Sequence, residues 1–138
     1  MYYKTQNICI DNEIVAKVFR FQKKKFEGVK FFTQNNLNLQ LGLMSHKKNH
    51  IIKAHYHINK KKIIKQMSEV LIIFSGKLKV FFYDKKEIRK KTIILKKKDL
   101  ILLIKGAHGF KVLENLEMLE IKQGPFIGDK DKTRLKAL

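Results

Sequence analysis

Two histidines one residue apart and a glutamate further along the chain have the types and spacing that could do chemistry. His55 and His57 stand in the stretch KAHYH, and Glu69 follows in SEVLIIFSG. Residues i and i+2 of a strand project from one face about 6.5 Å apart, close enough for two imidazoles to share one ion. His108, in the stretch IKGAHGF, supplies a third imidazole after a later apolar run. Imidazole and carboxylate ligands suit divalent iron, manganese, nickel or zinc, so the four residues predict a metal site.

Each of these residues could also have an ordinary structural role in which it binds no metal, and the sequence leaves both interpretations open. His55 and His57 could belong to a solvated strand, and Glu69 could pair with one of the many lysines. An inward-facing glutamate is costly to bury, however, unless a cation or hydrogen-bond donors accompany it. His108 could lie in a turn with its imidazole in water. We interpret the remaining histidines, His46 and His50, as loop residues.

The elements that must position these side chains are short strands. The stretch NLNLQLGLM at 36–44 places leucine at every second position, which is typical of a half-buried strand. The stretch EVLIIFSGKLKVFFYD predicts two strands joined at Ser75–Gly76, where glycine permits the positive φ of a tight hairpin. In its second half Leu78, Val80 and Phe82 share one face. Further strands are predicted at Ile14–Phe21, Thr92–Leu95, Leu100–Ile104, Gly109–Leu113 and Glu117–Ile121.

No segment carries a sustained helical stripe of apolar residues, and many short strands predict an all-β sandwich or barrel. Asn59–Met67 is predicted to be a helical turn or an irregular loop, and residues 124–138 a C-terminal surface extension. The chain shows no internal repeat and no second core. Its 138 residues are therefore predicted to form a single domain.

Cysteine content and apolar runs bear on the compartment. The single cysteine, Cys9, cannot form an intramolecular disulfide, which fits a reducing compartment, and we interpret it as a structural thiol. The longest apolar runs, Val70–Phe74 and Leu100–Ile104, are far shorter than the roughly 20 residues that span a bilayer. The first residues, MYYKTQNICI, lack the pattern of a secretory signal. We therefore expect a cytoplasmic protein without a membrane span.

The net charge of +19 raises the question of a nucleic-acid partner. Arg20, Arg89 and Arg134 are the only arginines among the 31 basic residues, although bidentate recognition of phosphate and guanine favours arginine. The lysines cluster between the apolar runs, where solvated turns explain them. We therefore expect no nucleic-acid partner, and a basic nucleic-acid-associated β-barrel stays as an alternative.

The histidines and the glutamate together resemble the two sequence motifs of the cupin superfamily. His55 and His57 match the HxH pair of the first motif, and Glu69 matches its glutamate by the distance to Gly76. His108 matches the histidine of the second motif. The resemblance covers roughly residues 42–123 and implies a jelly-roll β-barrel, with a core at about 36–123, in which these four side chains ligate a divalent metal. The long spacing before the glutamate then implies a lengthened loop at the barrel mouth.

The end of the chain, LEIKQGPFIGDKDKTRL, is similar to the closing motif of a group of small single-domain cupins. Proteins of that group are found among genes for O-antigen lipopolysaccharide, capsule and related surface-polysaccharide synthesis. The resemblance therefore implies this biosynthetic setting, and it also implies a homodimer. The residues that carry it are Lys122, Gly124, Pro125, Phe126, Asp131 and Lys132.

This resemblance and the ligand types imply a metal-binding protein that acts on a small molecule. A divalent ion could polarise a carbonyl or hold an enediolate, or bind O2 if it were Fe(II). The implied chemistry is isomerisation, epimerisation or oxygenation of a sugar or nucleotide-sugar, such as a phosphorylated sugar. The alternative is a non-catalytic module that binds a sugar or another anion. Substrate contacts are predicted at Tyr56, Tyr83, Lys132 and Arg134.

Overall fold

The computed structural model describes residues 2–22, 25–58, 60–61, 63–125 and 127–136, with the backbone alone for residues 2, 3, 21, 129 and 130. The described chain holds eight strands, one short 3-10 helix and no α-helix, which confirms the all-β prediction. Within these residues, no helix has the length and apolar character needed to cross a membrane. Phe126, the aromatic residue of the C-terminal motif, lies outside the described residues.

The strands follow one another through the whole chain, and the 3-10 helix comes after the last of them. Their bounds are β1 Tyr2–Ile10, β2 Glu13–Gln22, β3 Gly28–Phe31, β4 Gly42–Ser45, β5 Glu69–Tyr83, β6 Arg89–Lys96, β7 Leu100–Leu103, β8 His108–Lys122 and the 3-10 helix Gly128–Asp131. The predicted strands at Ile14–Phe21, Thr92–Leu95 and Leu100–Ile104 correspond to β2, β6 and β7.

Six of the strands form one antiparallel sheet, and β3 pairs with β4 in a separate small sheet. The large sheet runs in the order β1-β2-β7-β5-β6, and β8 pairs with the other side of β5. It is strongly curled into a half-barrel, so that β1 and β6 approach each other although they stand at opposite ends of this order. β1 and β2 lie N-terminal to the predicted core at 36–123, so the sheet begins earlier in the chain than that core.

The core lies on both faces of the curled sheet. The larger cluster contains Leu78, Val80 and Phe82, as their alternation predicts, together with side chains of β1, β2, β6 and β7. The smaller cluster lies around Phe19 and Leu102, on the opposite face. Burial of apolar side chains contributes about 25 cal/mol per Å² and provides most of the stabilisation of such a sheet.

The smaller cluster is covered by a segment that is not a strand. Leu37, Leu39 and Leu41 pack against it, as expected of an alternating apolar face. The prediction of one strand over 36–44 is nevertheless wrong, because only Gly42–Ser45 joins a ladder, with β3. Packing of the leucine side chains holds this segment in place. The backbone N–H of Leu41 donates to the Thr33 hydroxyl and not to a neighbouring strand.

The predicted hairpin at Ser75–Gly76 is also wrong, because β5 continues through it to Tyr83. Gly76 does have the expected positive φ of 79°, but it serves a bulge in the β5–β8 ladder. A Cβ at Gly76 would lie 2.0 Å from the carbonyl oxygen of Asn115 on β8. Glycine therefore lets the two backbones approach where the register shifts. In the same way, the two strands predicted within 109–121 are one strand, β8.

An ion pair between the half-buried Arg20 and the buried Asp99 fastens the connection between β6 and β7 to β2. Asp99 is 3% exposed, and one of its carboxylate oxygens accepts a hydrogen bond from Nη1 of Arg20 at 2.6 Å. The same oxygen accepts the backbone N–H of Lys96 at 3.0 Å. The carboxylate therefore closes the turn and holds β7 in register, which matters for the site because Leu103 of β7 lines it.

Candidate ligand site

Glu69 opens β5 at the edge of the large core. Its ladder partners are Leu103 of β7 and Lys122 of β8, which places it between two neighbouring strands. The residue before it, Ser68, is buried; its N–H donates to the side-chain oxygen of Gln123, and its hydroxyl donates to the carbonyl of Ile104. These bonds hold the start of β5 in place. The Glu69 side chain that follows is 20% exposed.

His108 opens β8 and meets Glu69 side chain to side chain. Its Nε2 lies 3.3 Å from Oε2 of Glu69, and its Nδ1 lies 3.3 Å from the carbonyl oxygen of Gly106. Both ring nitrogens therefore face acceptors. A neutral imidazole can donate to one of them, and only the doubly protonated imidazolium can donate to both.

The electrostatic surroundings keep Glu69 ionised. The hydrogen bond from His108 lowers the pKa of this carboxyl, and the nearby charges of His108, Lys122 and Lys132 lower it further. Partial burial acts in the opposite direction, but the net direction is downward. Glu69 is thus a half-buried carboxylate that stays charged because donors and cations surround it.

The pair lines a cavity of about 640 Å³. The cavity wall combines basic and aromatic side chains with three carboxylates. One of the basic residues, Lys105, forms an ion pair with Glu13 at 2.8 Å. The basic residues are Lys105, Lys122, Lys132 and Arg134; the aromatic residues are Phe81, Tyr83 and Phe110; the acidic residues are Glu69, Glu120 and Asp131. A small anion with an apolar or sugar-like body would find partners for both of its parts here.

The C-terminal tail forms part of the cavity wall. Residues 131–135 all line it, so the tail packs beside the site and does more than extend from the surface. Two predicted substrate contacts, Lys132 and Arg134, are therefore placed in the cavity by the tail. Tyr83, predicted from β5, lines the cavity as well and is 8% exposed.

The remaining predicted site residues lie elsewhere. His55 and His57 are exposed, with ring centroids 5.4 Å apart, and Tyr56 between them is 88% exposed. None of the three lines the cavity. The prediction that they stand on a strand is wrong, because residues 46–58 pair with no strand in the described chain, so no ladder imposes a two-residue period on them.

Of the four predicted metal ligands, Glu69 and His108 could hold one ion between them. Two ligands about 2.1 Å from a shared ion lie roughly 3 Å apart, which matches the 3.3 Å between Oε2 and Nε2. Two donors are an incomplete shell, and in the described residues no group of three or more His, Cys, Asp or Glu side chains is placed to bind a metal. A complete shell would require His55 and His57 to move to the pair.

Sequence reasoning did not assign a site role to several residues that line the cavity. Phe110 and Lys105 flank His108 in the sequence, so proximity along the chain was the available signal. Glu120 has no such signal, because its place follows from its ladder pairing with Leu71. A cavity assembled from two strand ends and a tail becomes visible only when the ladder is known.

The fold and the site define the class: an all-β protein with a half-barrel sheet and a cavity lined by aromatic residues and by charged residues of both signs, which contains a glutamate–histidine pair. Comparisons with protein-family models, with curated proteins and with solved structures give no match to this chain. The cupin relationship therefore remains a resemblance carried by the sequence motifs.

Proposed function

We propose that this protein binds a phosphorylated sugar or nucleotide-sugar in the Glu69–His108 cavity and isomerises or epimerises it. The observation that carries the proposal is the contact of an ionised carboxylate with an imidazole in a cavity whose wall also contains Lys132 and Arg134 of the tail. The motif resemblance supplies the setting, which is surface-polysaccharide biosynthesis by a cupin-like protein.

The proposed chemistry is proton transfer next to a carbonyl group. Isomerisation of a sugar requires a base that removes a proton from the carbon beside the carbonyl and an acid that protonates the carbonyl oxygen. Glu69 is the base, because it is the ionised carboxylate in the cavity that contacts His108. His108 is the acid, and its Nε2–H passes to the oxygen as the carboxylate takes the carbon-bound proton. The carbonyl re-forms when Glu69 returns its proton to the neighbouring carbon or to the other face of the same carbon, and a hydroxyl proton of the enediol returns to Nε2 of His108, so that both groups are restored.

The substrate class follows from the wall of the cavity. Lys132 and Arg134 on the tail and Lys122 on β8 offer charge-assisted hydrogen bonds to a phosphate. Phe81 and Phe110 offer flat apolar surfaces against which the carbon face of a sugar ring can pack. A non-catalytic binding module would use both features equally well. An experiment that detects proton transfer therefore has to distinguish an isomerase from a binding module.

The cupin resemblance implies an alternative in which a divalent metal ion, instead of the Glu69–His108 acid–base pair, activates the substrate. Glu69 and His108 would be two of its ligands, and His55 and His57 would complete the shell after moving from solvent. Bound there, the ion would polarise the substrate carbonyl as a Lewis acid.

Solvent-exchange NMR tests the proposal directly. The full-length protein, with and without each of iron, manganese, nickel and zinc, is incubated in D2O with sugar phosphates and nucleotide-sugars that carry a keto or aldehyde group. We expect deuterium to enter at the carbon next to the carbonyl, and the incorporation rate to fall at least about 100-fold in Glu69→Gln and in His108→Gln. Glu27→Gln, at an exposed glutamate outside the cavity, is the matched control and should exchange normally.

The two candidate functions give different results in this experiment. Saturable binding of the sugar phosphates with no deuterium incorporation under any metal condition would identify a binding module. Equal exchange in the wild type and in Glu69→Gln would show that this carboxylate is not the base.

A further inference from the structure

A group of lysines lies on one face of the sheet, where β6, β5 and β8 run side by side. Successive side chains of a strand point to opposite faces, and Leu78 of β5 points into the larger core cluster. Its neighbours Lys77 and Lys79 therefore point to the other face. The ladders place Lys96 of β6 opposite Lys77, and Lys111 of β8 opposite Lys79. We call these four lysines the outer lysine face.

Both of these ladder pairs bring like charges together. Like charges directly opposite each other in a sheet are destabilising, so each pair costs free energy in the absence of a counter-charge. Lys77 has one, because its Nζ lies 2.6 Å from Oε1 of Glu114. Among the described residues, no carboxylate forms an ion pair with Lys79, Lys96 or Lys111. An anion bound between these ammonium groups would remove the repulsion.

The strands that carry the outer lysine face are poor in acidic residues. The segments Lys77–Tyr83, Arg89–Lys96 and His108–Glu114 hold seven basic residues and one carboxylate, which belongs to Glu114. These lysines lie on strands, so solvated turns do not explain their positions. The face is therefore a patch of positive charge that the protein itself leaves largely uncompensated.

The dimensions of the patch suit several phosphates of one chain. Neighbouring strands lie about 4.8 Å apart, and residues i and i+2 of a strand lie about 6.6 Å apart. The Cα atoms of the four lysines therefore fall within roughly 10 Å by 7 Å. Lys96 and Lys111 are exposed, and 47% of the Lys77 side chain is exposed, so ammonium groups reach solvent across the patch.

Planar and apolar groups lie beside the cations. Phe81 follows Lys79 on the same face of β5, and Cζ of Arg89 lies 5.1 Å from the centroid of the Phe81 ring. Ile94, which stands opposite Lys79, is 47% exposed. Bases of a single strand can stack on guanidinium planes and contact apolar side chains, whereas the bases of a duplex are already stacked on each other. Cations next to such groups favour a single strand as the ligand.

We propose that the outer lysine face binds single-stranded nucleic acid through its phosphates, without base specificity. Lysine acts as a point charge, which holds a phosphate but reads no sequence. The scarcity of arginine therefore argues against base-specific recognition and leaves backbone binding open. The four lysines line no part of the Glu69–His108 cavity, so this binding requires neither a metal ion nor the proposed reaction.

Fluorescence anisotropy of the full-length protein with a labelled oligothymidine of about 20 nucleotides tests the proposal. We expect log K to fall linearly with log salt with a slope of about −3, because each neutralised phosphate of a single strand contributes about −0.7. Lys79→Gln combined with Lys111→Gln should reduce the slope by about 1.4 and weaken binding roughly 20-fold at about 0.1 M salt.

The matched control removes the same charge elsewhere. Lys60 and Lys61 are exposed in the loop before β5 and belong to no described strand. Lys60→Gln combined with Lys61→Gln should keep the slope and change the affinity less than about twofold, because exposed charges more than about 10 Å away are screened. Equal losses in the two double variants would show that net charge, and not this face, attracts the oligonucleotide.

Lys111→Glu separates loss of binding from loss of folding. The new carboxylate would stand opposite Lys79, so the urea midpoint of unfolding should rise above that of the wild type. The same substitution should weaken oligothymidine binding at least about fivefold at about 0.1 M salt. Lys61→Glu makes the same change of charge in the loop and should alter neither measurement in this way.

Three results would overturn the proposal. The first is no saturable binding of oligothymidine at about 50 mM salt. The second is equal affinity for a duplex of the same length, which would exclude a preference for single strands. The third is binding of phosphatidylserine vesicles, lost in the Lys79 and Lys111 double variant, without binding of oligothymidine, because the face would then contact a membrane surface.

Discussion

Glu69 and His108 stand at opposite ends of one antiparallel ladder, yet their side chains lie 3.3 Å apart. Glu69 pairs with Lys122, and His108 pairs with Phe82, so a straight ribbon would separate them by about 40 Å. The ribbon of β5 and β8 therefore bends back on itself, and its register shifts lie near the middle, between Ile73 and Leu78. The candidate site exists because this bend brings the two strand ends together.

Gly76→Ala tests the bend. An alanine at φ 79° is strained by about 1 kcal/mol, and its Cβ would collide with the Asn115 carbonyl oxygen. We expect a loss of about 2–4 kcal/mol in the free energy of unfolding, measured by urea denaturation. Gly28→Ala has a similar positive φ with no atom within 4 Å of the added Cβ, so it should lose about 1 kcal/mol. Equal losses in the two variants would contradict a close approach at Gly76.

The pH dependence of stability should report the Glu69–His108 contact. The folded-state pKa of Glu69 is lowered by the hydrogen bond from His108, so the ionised Glu69 carboxylate stabilises the fold above the unfolded-state value of about 4.3. This stabilisation is lost as the pH falls through the folded-state pKa. Glu69→Gln should therefore be less stable than the wild type by about 1 kcal/mol at pH 7, with the difference shrinking towards pH 3 in urea titrations. A difference independent of pH would assign the effect to packing alone.

Removal of Arg20 should destabilise the protein because it leaves the buried Asp99 carboxylate without its cation. We expect Arg20→Met to lower the free energy of unfolding by about 3 kcal/mol at pH 7. Lys47→Met, which breaks the exposed ion pair with Glu27, should change it by less than about 1 kcal/mol. Similar effects of the two substitutions would show that the turn before β7 does not depend on the Asp99 ion pair.

The tail cations should determine affinity for phosphate esters. Replacing Lys132 or Arg134 with glutamine should weaken binding of glucose 1-phosphate about tenfold each, measured by calorimetry, because each change removes a charge-assisted hydrogen bond. Lys136→Gln, on the same tail but outside the cavity wall, is the control and should bind as the wild type does. Retention of full affinity in both cavity variants would place the phosphate elsewhere.

The proposed metal shell makes a separate prediction about histidines. His55→Ala combined with His57→Ala should lower the affinity for the bound divalent ion at least about 100-fold, as measured by competition with a chelator. His46 and His50, whose rings stack at 4.1 Å, provide the control double variant, which should retain the ion. If neither double variant changes the affinity, any ion is held without the loop histidines.

Much of the local structure could be predicted because it depends on side-chain periodicity. The alternation of Leu78, Val80 and Phe82 predicted a strand with one buried face, and that face lies in the core. The types of Glu69 and His108 marked them as site candidates, and they do meet. The same local rules misassigned Ser75–Gly76, because a glycine with positive φ suits both a hairpin and a bulge, and the choice depends on whether β8 lies alongside.

By itself, the sequence determined the all-β class, the position of most strands and the identity of the residues that could do chemistry, since these depend on residue type and short-range spacing. Only the tertiary structure decided that β5 and β8 are single bent strands, that the tail lines the cavity, and that Glu69 lies against His108 while His55 and His57 lie in solvent. The physical reason is that ladder pairing and strand bending join residues far apart in the chain. No local pattern of polarity encodes which distant backbone a strand will meet.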